Sequence, residues 1–216
     1  MVNVFLMKWG DKYSFEYVNN LVKSINHFLS IPHKIYCFTD DPTGVECETI
    51  LIGDFPYNFN RRVLLFSKGF TEGLCIVIDL DVLVLKDFST ILTERSGITV
   101  VNSHWKNQKE YKGIYTDEHG FRTTINGSIT LWTANDPSVV EIYDTFMDNP
   151  EHYTEKYWGQ IDRFTQWEHL EYNLFSDNVA HSYFYDKDIR DDYIFWLFNK
   201  GHEKEAKYFQ DKQFYD

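Results

Sequence analysis

Leu74-Cys75-Ile76-Val77-Ile78-Asp79-Leu80-Asp81 is a run of five apolar residues closed by two carboxylates one residue apart. An uninterrupted apolar run of this length suits a strand covered on both faces, as in a parallel sheet with helices on each side. In open α/β sheets, ligands bind beyond the carboxyl ends of such strands, and Asp79 and Asp81 stand at that end. Their oxygens are hard ligands of the kind that Mg2+ and Mn2+ take, with water or phosphate oxygens filling the remaining coordination positions. The plainer reading is a solvated turn after a strand, because an acidic pair gains meaning only from its surroundings.

Outward from this stretch, the chain alternates. Val2–Met7 reads as a strand, and from Ser14, a candidate N-cap, the apolar positions Val18, Leu21, Val22, Ile25 and Phe28 recur at helical spacing up to Pro32. Lys34–Phe38 reads as a second strand, ending in the turn formers Thr39-Asp40-Asp41-Pro42-Thr43-Gly44. A short helix is expected at Arg61–Ser67, a βα step through Ser89–Leu92, and a strand at Ile98–Val101. Asn126-Gly127, between two β-prone runs, is a hairpin signal. Asp136-Pro137 opens a helix whose apolar face is Val139, Val140, Ile142, Tyr143, Phe146 and Met147. This order predicts an α/β fold with a mixed, mostly parallel sheet flanked by helices.

The 216 residues suffice for one full-sized core, and no Pro/Gly/Ser-rich stretch or repeat divides them. A single domain is expected over residues 1–202, with 203–216 as a charged C-terminal tail, readable as a loosely attached helix. No segment approaches the ~20 apolar residues of a membrane span, and a basic region followed by an apolar stretch is missing at the amino terminus. The expected location is therefore cytoplasmic, which also discounts Asn126-Gly127-Ser128 as a glycosylation acceptor. Cys37, Cys47 and Cys75 form no C-x-x-C pair, so neither a disulfide framework nor a zinc site is expected. A net charge of −12 disfavours nucleic acid as a partner. Aromatic residues make up 18% of the chain; packing is their ordinary use, and stacking on sugars or bases a second one. Neither a G-x-x-x-x-G-K-S nor a G-x-G-x-x-G loop occurs, which leaves ATPase and dinucleotide oxidoreductase readings without residues.

Several segments, taken in order, resemble the nucleotide-sugar-dependent glycosyltransferases of the GT-A fold, particularly the glycogenin-like group and small bacterial relatives. They are Lys8-Trp9-Gly10-Asp11-Lys12-Tyr13, Cys37-Phe38-Thr39-Asp40-Asp41-Pro42, Arg62-Val63-Leu64-Leu65-Phe66-Ser67, Asp79-Leu80-Asp81 and Ile125-Asn126-Gly127-Ser128-Ile129. The resemblance implies a GT-A, Rossmann-like domain in which the acidic pair holds Mn2+ or Mg2+, Asp81 facing the ion and Asp79 the ion or the ribose, and the ion binds the diphosphate of a nucleotide sugar, most readily a UDP-sugar. It places Lys8, Trp9 and Tyr13 at the nucleotide, with Trp9 or Tyr13 stacking on the base. Asp40 and Asp41 would face base or ribose, although an Asx-turn at Asp-Pro accounts for them as well. Arg62 stands where relatives carry Lys near the donor phosphates. Asn126 and Ser128 match a loop at the transferred sugar, and Gln166 an Asp-Gln segment at sugar or acceptor. Thr165 occupies the position of that Asp, which leaves Asp162 or Glu168 as substitutes. The family's late His ligand has its counterpart in Phe198-Asn199-Lys200-Gly201-His202, so the implied third metal ligand is His202, with Asn199 as the alternative.

Two other readings use the same residues. Asp-x-Asp-Val after an apolar strand also resembles the first motif of haloacid dehalogenase-like phosphatases, with Asp79 as nucleophile and Asp191-Asp192 completing a Mg2+ site. The late position of the pair in the chain speaks against it. The non-enzymatic alternative is a nucleotide- or carbohydrate-binding module of the same fold. The acceptor, whether glycan, protein or lipid-linked, and the stereochemistry of transfer are not legible.

Overall fold

The computed structural model describes residues 1–56, 58–106, 115–116, 120–121, 123–199 and 201–214. Along the chain come β1 (Val2–Lys8), α1 (Phe15–Phe28), β2 (His33–Thr39), β3 (Glu48–Leu51), β4 (Leu74–Ile78) and β5 (Val82–Val84). They are followed by β6 (Ile98–Asn102), β7 (Tyr115–Thr116), β8 (Gly120–Phe121), β9 (Ile125–Thr133), α2 (Pro137–Asp148), α3 (Pro150–Tyr157) and α4 (Ile161–Trp167). β10 (Tyr172–Leu174), β11 (Ala180–Ser182), β12 (Phe195–Leu197) and α5 (Glu203–Lys212) complete the order. The class is α/β with mostly parallel, mixed pairing, as the alternation predicts. The chain divides into two compact units, Met1–Gly53 with Ile76–Thr93 and Ser176–Asp216, and Asp54–Cys75 with Glu94–Phe175.

In the first unit β1 lies between β4 and β2, and β3 continues the sheet beyond β2. β1 and β2 run parallel in register from Val2↔His33 to Lys8↔Thr39, and β2 and β3 run parallel as well. β4 forms where the apolar run predicts it, and Cys75 to Ile78 are buried, as expected for a strand without a solvent face. α1 buries Val18, Leu21, Val22 and Ile25, the stripe that its spacing predicts. Each such side chain contributes roughly 1.5–3 kcal/mol. A second, three-stranded sheet has the order β11-β12-β5, with β11 and β12 parallel and β12 and β5 antiparallel. The segment set apart in the sequence as a charged tail carries α5, which buries Ala206 and Gln210.

Asp87 pins the turn after β5. Its carboxylate accepts from the Ser30 hydroxyl at 2.7 Å, the Ser89 hydroxyl at 2.9 Å and the Ser89 amide at 2.9 Å. Hydrogen bonds from Ser30 first, against a small effect of burial, hold its pKa down at about 2. A carboxylate depressed below its unfolded value stabilises the fold above pH ~4 and loses that contribution as pH falls toward 2. Asp87→Asn is therefore expected to lower stability by no more than about 1 kcal/mol at pH 7 and by less at pH 3, because the group is exposed. Urea melts at both pH values check it, and an equal loss at both would contradict the charge argument.

In the second unit β6 pairs with β10 in parallel and with β9 antiparallel. Asp136 caps α2 as predicted: its side chain accepts from the Ser138 and Val139 amides and from Gly97, and Pro137 takes the first turn. The expected short helix at Arg61–Ser67 is a 3-10 helix over Asn58–Phe66. No hairpin forms at Asn126-Gly127. β9 runs through from Ile125 to Thr133, and its register on β6 jumps from Val100↔Thr130 to Val101↔Asn126, so 127–129 bulge out of the ladder. The Gly127 carbonyl accepts from Arg62 Nη1 and from the Thr130 hydroxyl, which supplies partners that a hairpin turn would not need. Among the described residues, no helix is long and apolar enough to cross a membrane.

Candidate metal and nucleotide site

The carboxyl end of β4 sets the geometry in the first unit. Asp81 is partly buried, and its backbone is held on both sides. The Phe198 amide, just past β12, donates to the Asp81 carbonyl at 2.9 Å. From α5, buried Gln210 donates through Nε2 to the carbonyls of Leu80 at 3.0 Å and Val82 at 2.8 Å, the residues that flank Asp81. Burial first, and the Asp79 charge second, push the Asp81 carboxyl up to about 7. Two carboxylates crowded in a poorly solvated place repel each other, and a bound cation would relieve that repulsion.

The loop after β1 meets the pair. Tyr13 donates its hydroxyl to Asp81 Oδ2 at 3.0 Å, and its ring stands edge-on to Tyr17 with centroids 5.1 Å apart. Burial and the two aspartates drive the Tyr13 hydroxyl far above its ordinary pKa, so it is a permanent donor. The Lys12 ammonium lies over the same ring at 4.7 Å and pairs with Glu203 at 2.8 Å, while Tyr17 donates to the Glu203 carbonyl at 3.2 Å. The loop after β2 joins the loop after β1 through the Gly10 amide, which donates to Asp40 Oδ2 at 2.8 Å. Gly10 has φ of +59°, a conformation that side chains other than glycine adopt at a cost.

Of the residues expected in this unit, Lys8 is buried at the end of β1 and Trp9 is half-buried beside it. Asp41 closes an Asx-turn by accepting from the Thr43 amide at 2.9 Å, the turn-forming role given to it as the alternative. His202 contacts Lys187 Nζ through Nε2 at 2.8 Å and Glu205 through Nδ1 at 3.1 Å. Because an ammonium only donates, this pattern assigns the ring proton to Nδ1. Asn199 Oδ1 accepts from Ser182 at 3.0 Å, and Lys200 lies outside the described residues. Among the described residues no group of three or more His, Cys, Asp or Glu side chains is gathered as a metal cage, so the donor set at hand is the aspartate pair. Asp191 and Asp192, the residues of the phosphatase reading, are exposed, and both carbonyls accept from Lys86 Nζ.

Arg62, Asn126, Ser128 and Gln166 belong to the second unit. Asn126 Oδ1 accepts from the Ser128 amide at 2.8 Å and shapes the bulge. A Cβ at Gly127 would lie 3.1 Å from Arg62 Nη1, so glycine permits the close approach of the guanidinium. Gln166 grips Thr124 twice, accepting from its amide at 3.0 Å and donating to its hydroxyl at 2.8 Å. Thr165, at the place of the expected Asp, is fully buried, and its hydroxyl has no hydrogen-bond partner among the described residues. It lines a cavity of about 10 Å3 together with Arg62, Thr130 and Asp162, room for one water. Glu168 instead binds Lys156 at 2.7 Å and the Tyr157 hydroxyl at 2.5 Å.

Sequence reasoning did not find Gln210 or the hydroxyl role of Tyr13. The signal for the first was the face Ala206-Phe209-Gln210-Gln213 at helical spacing; for the second there was none, because ring and hydroxyl serve different partners. Comparison of the sequence with protein-family models and with curated proteins finds no match.

Proposed function

We propose that the chain is a metal-dependent glycosyltransferase that moves a sugar from a nucleoside diphosphate donor, most readily a UDP-sugar, to an acceptor hydroxyl. The observation that carries this reading is the aspartate pair at the end of β4, with Tyr13 of the loop after β1 in contact with Asp81 and Asp40 of the loop after β2 tied to Gly10. Loops gathered at strand ends are where α/β sheets take nucleotides, and the order of segments resembles the GT-A glycosyltransferases.

The donor set fits Mn2+ or Mg2+: hard carboxylate oxygens that carry mutual repulsion which a cation offsets, with the backbone on either side of Asp81 held by Gln210. A bound ion supplies Lewis acidity that stabilises the charge left on a departing diphosphate. Asp79 and Asp81 would hold it, and Asp40, Lys8 and Trp9 are the candidates for orienting the nucleotide.

Thermal melts of the whole protein with UDP, GDP, UDP-sugars and phosphate, each with and without Mn2+, test the reading. One nucleoside diphosphate is expected to raise Tm only when Mn2+ is present, by an amount equivalent to about 2.7 kcal/mol at a hundredfold excess over Kd. Absence of any nucleotide response would sink the donor site and bring phosphate-ester hydrolysis forward. Slow release of sugar from the stabilising donor separates the transferase from a binding module.

A further inference from the structure

Tyr13 reaches the acidic pair through its hydroxyl, and that contact has a consequence for which ion the pair accepts. We propose that Tyr13 is a positioning residue that limits Asp81 to one metal-facing oxygen and so selects small divalent ions, Mn2+ and Mg2+, against Ca2+. The proposal rests on the metal reading of the pair given above.

The hydroxyl donates to Asp81 Oδ2 at 3.0 Å. Tyr13 is itself held from several directions: its ring is edge-on to Tyr17, Lys12 covers its face, and Lys12 and Tyr17 both fasten to Glu203 at the start of α5. The Asp81 backbone is equally fixed, by Phe198 on its own carbonyl and by Gln210 on the carbonyls on either side. With both partners anchored, the carboxylate has little freedom to turn. Oδ2 is engaged by a neutral donor, so the carboxylate has at most its other oxygen to offer an ion without breaking that contact.

Ca2+ takes six to eight oxygens and commonly uses both oxygens of a carboxylate, whereas Mg2+ is smaller and works with one oxygen from each of one or two carboxylates plus water and phosphate. Seizing Oδ2 therefore costs Ca2+ a ligand that the smaller ions do not use. Partners of metal-binding carboxylates typically change metal affinity by 10–100-fold when removed.

The experiment measures Mn2+ affinity by electron paramagnetic resonance of the free ion, and Ca2+ affinity by its competition, in wild type and in Tyr13→Phe, which keeps the ring and removes the hydroxyl. Wild type is expected to prefer Mn2+, and the preference is expected to fall about tenfold in the folded variant, measured well below its melting temperature. An unchanged Mn2+/Ca2+ ratio in a folded Tyr13→Phe overturns the role of Tyr13 and leaves the metal reading standing. Wild type that binds neither ion overturns the metal reading and the proposal with it. Should the variant fail to fold, crystals of wild type grown with Mn2+ and with Ca2+ decide: one Asp81 oxygen on the ion with Tyr13 still on Oδ2 supports the proposal, and both oxygens on the ion overturn it.

Discussion

Asp81→Asn is expected to abolish the Mn2+-dependent stabilisation by nucleoside diphosphate and to reduce any donor turnover by at least about a hundredfold, while making the metal-free protein more stable at neutral pH. The first effect follows from losing an anionic oxygen at the end of β4, since a neutral amide binds a hard divalent ion poorly. The second runs the other way because of the environment of Asp81. Burial, and then the Asp79 charge, push its carboxyl from an ordinary 3.8 up to about 7. An acid whose pKa is raised on folding binds more protons in the folded state, so its contribution is complete below pH ~4 and is lost as pH climbs through about 7. At pH 8 the wild-type chain carries the buried, repelled carboxylate, and the variant does not. Asparagine keeps an oxygen that can accept from Tyr13, so the hydroxyl need not lose its partner. A gain of roughly 1–2 kcal/mol at pH 8, shrinking toward pH 4, is the expected difference. Denaturant melts of both proteins from pH 4 to 8, with and without Mn2+, check both halves. Variant and wild type with parallel pH profiles would remove the electrostatic account, and Mn2+ stabilising the variant as well as wild type would remove the metal account.

Much of the first unit was legible because its signals were strong and local. Leu74–Ile78 had to be a covered strand, and the two carboxylates that follow had to lie at its end. The α1 stripe and, in the second unit, the Asp136-Pro137 start of α2 were likewise written in spacing and capping chemistry. What escaped was decided by distant partners. Val82–Val84 and Phe195–Leu197 are too short to show a period, and they become strands by pairing with each other. Asn126-Gly127 carries hairpin chemistry, yet Arg62 and Thr130 take the Gly127 carbonyl and β9 continues past a bulge. The tyrosine in the loop after β1 was read for its ring, and the fold uses its hydroxyl. At the C-terminal segment the helix was legible in the charged tail, while its buried face, Ala206 and Gln210, was not singled out.

That buried face makes Gln210→Met the substitution with the largest expected cost in stability. Gln210 is 1% exposed and sits on α5 one turn after Ala206, which is also buried. Its two amide hydrogens satisfy the Leu80 and Val82 carbonyls, and its own Oε1 is without a hydrogen-bond partner among the described residues. Methionine fills a similar volume but donates nothing, so packing is roughly kept while two backbone acceptors lose a bond each. A hydrogen-bonding group left unsatisfied in the interior costs about 1–3 kcal/mol. Relief of the unpartnered Oε1 offsets part of the total, and about 2–4 kcal/mol is the expected loss. For a chain of this size that corresponds to a fall in Tm of roughly 5–15 °C. Because Leu80 and Val82 bracket Asp81, the same substitution frees the backbone that aims its carboxylate. Mn2+ affinity is therefore expected to weaken by about tenfold in the folded variant, measured well below its Tm. A control with an exposed change on the same helix, Tyr208→Ser, should leave both quantities near wild type. A large drop in Tm with Mn2+ affinity unchanged would confine Gln210 to holding α5 in place, whereas loss of both ties the helix at the end of the chain to the geometry of the acidic pair.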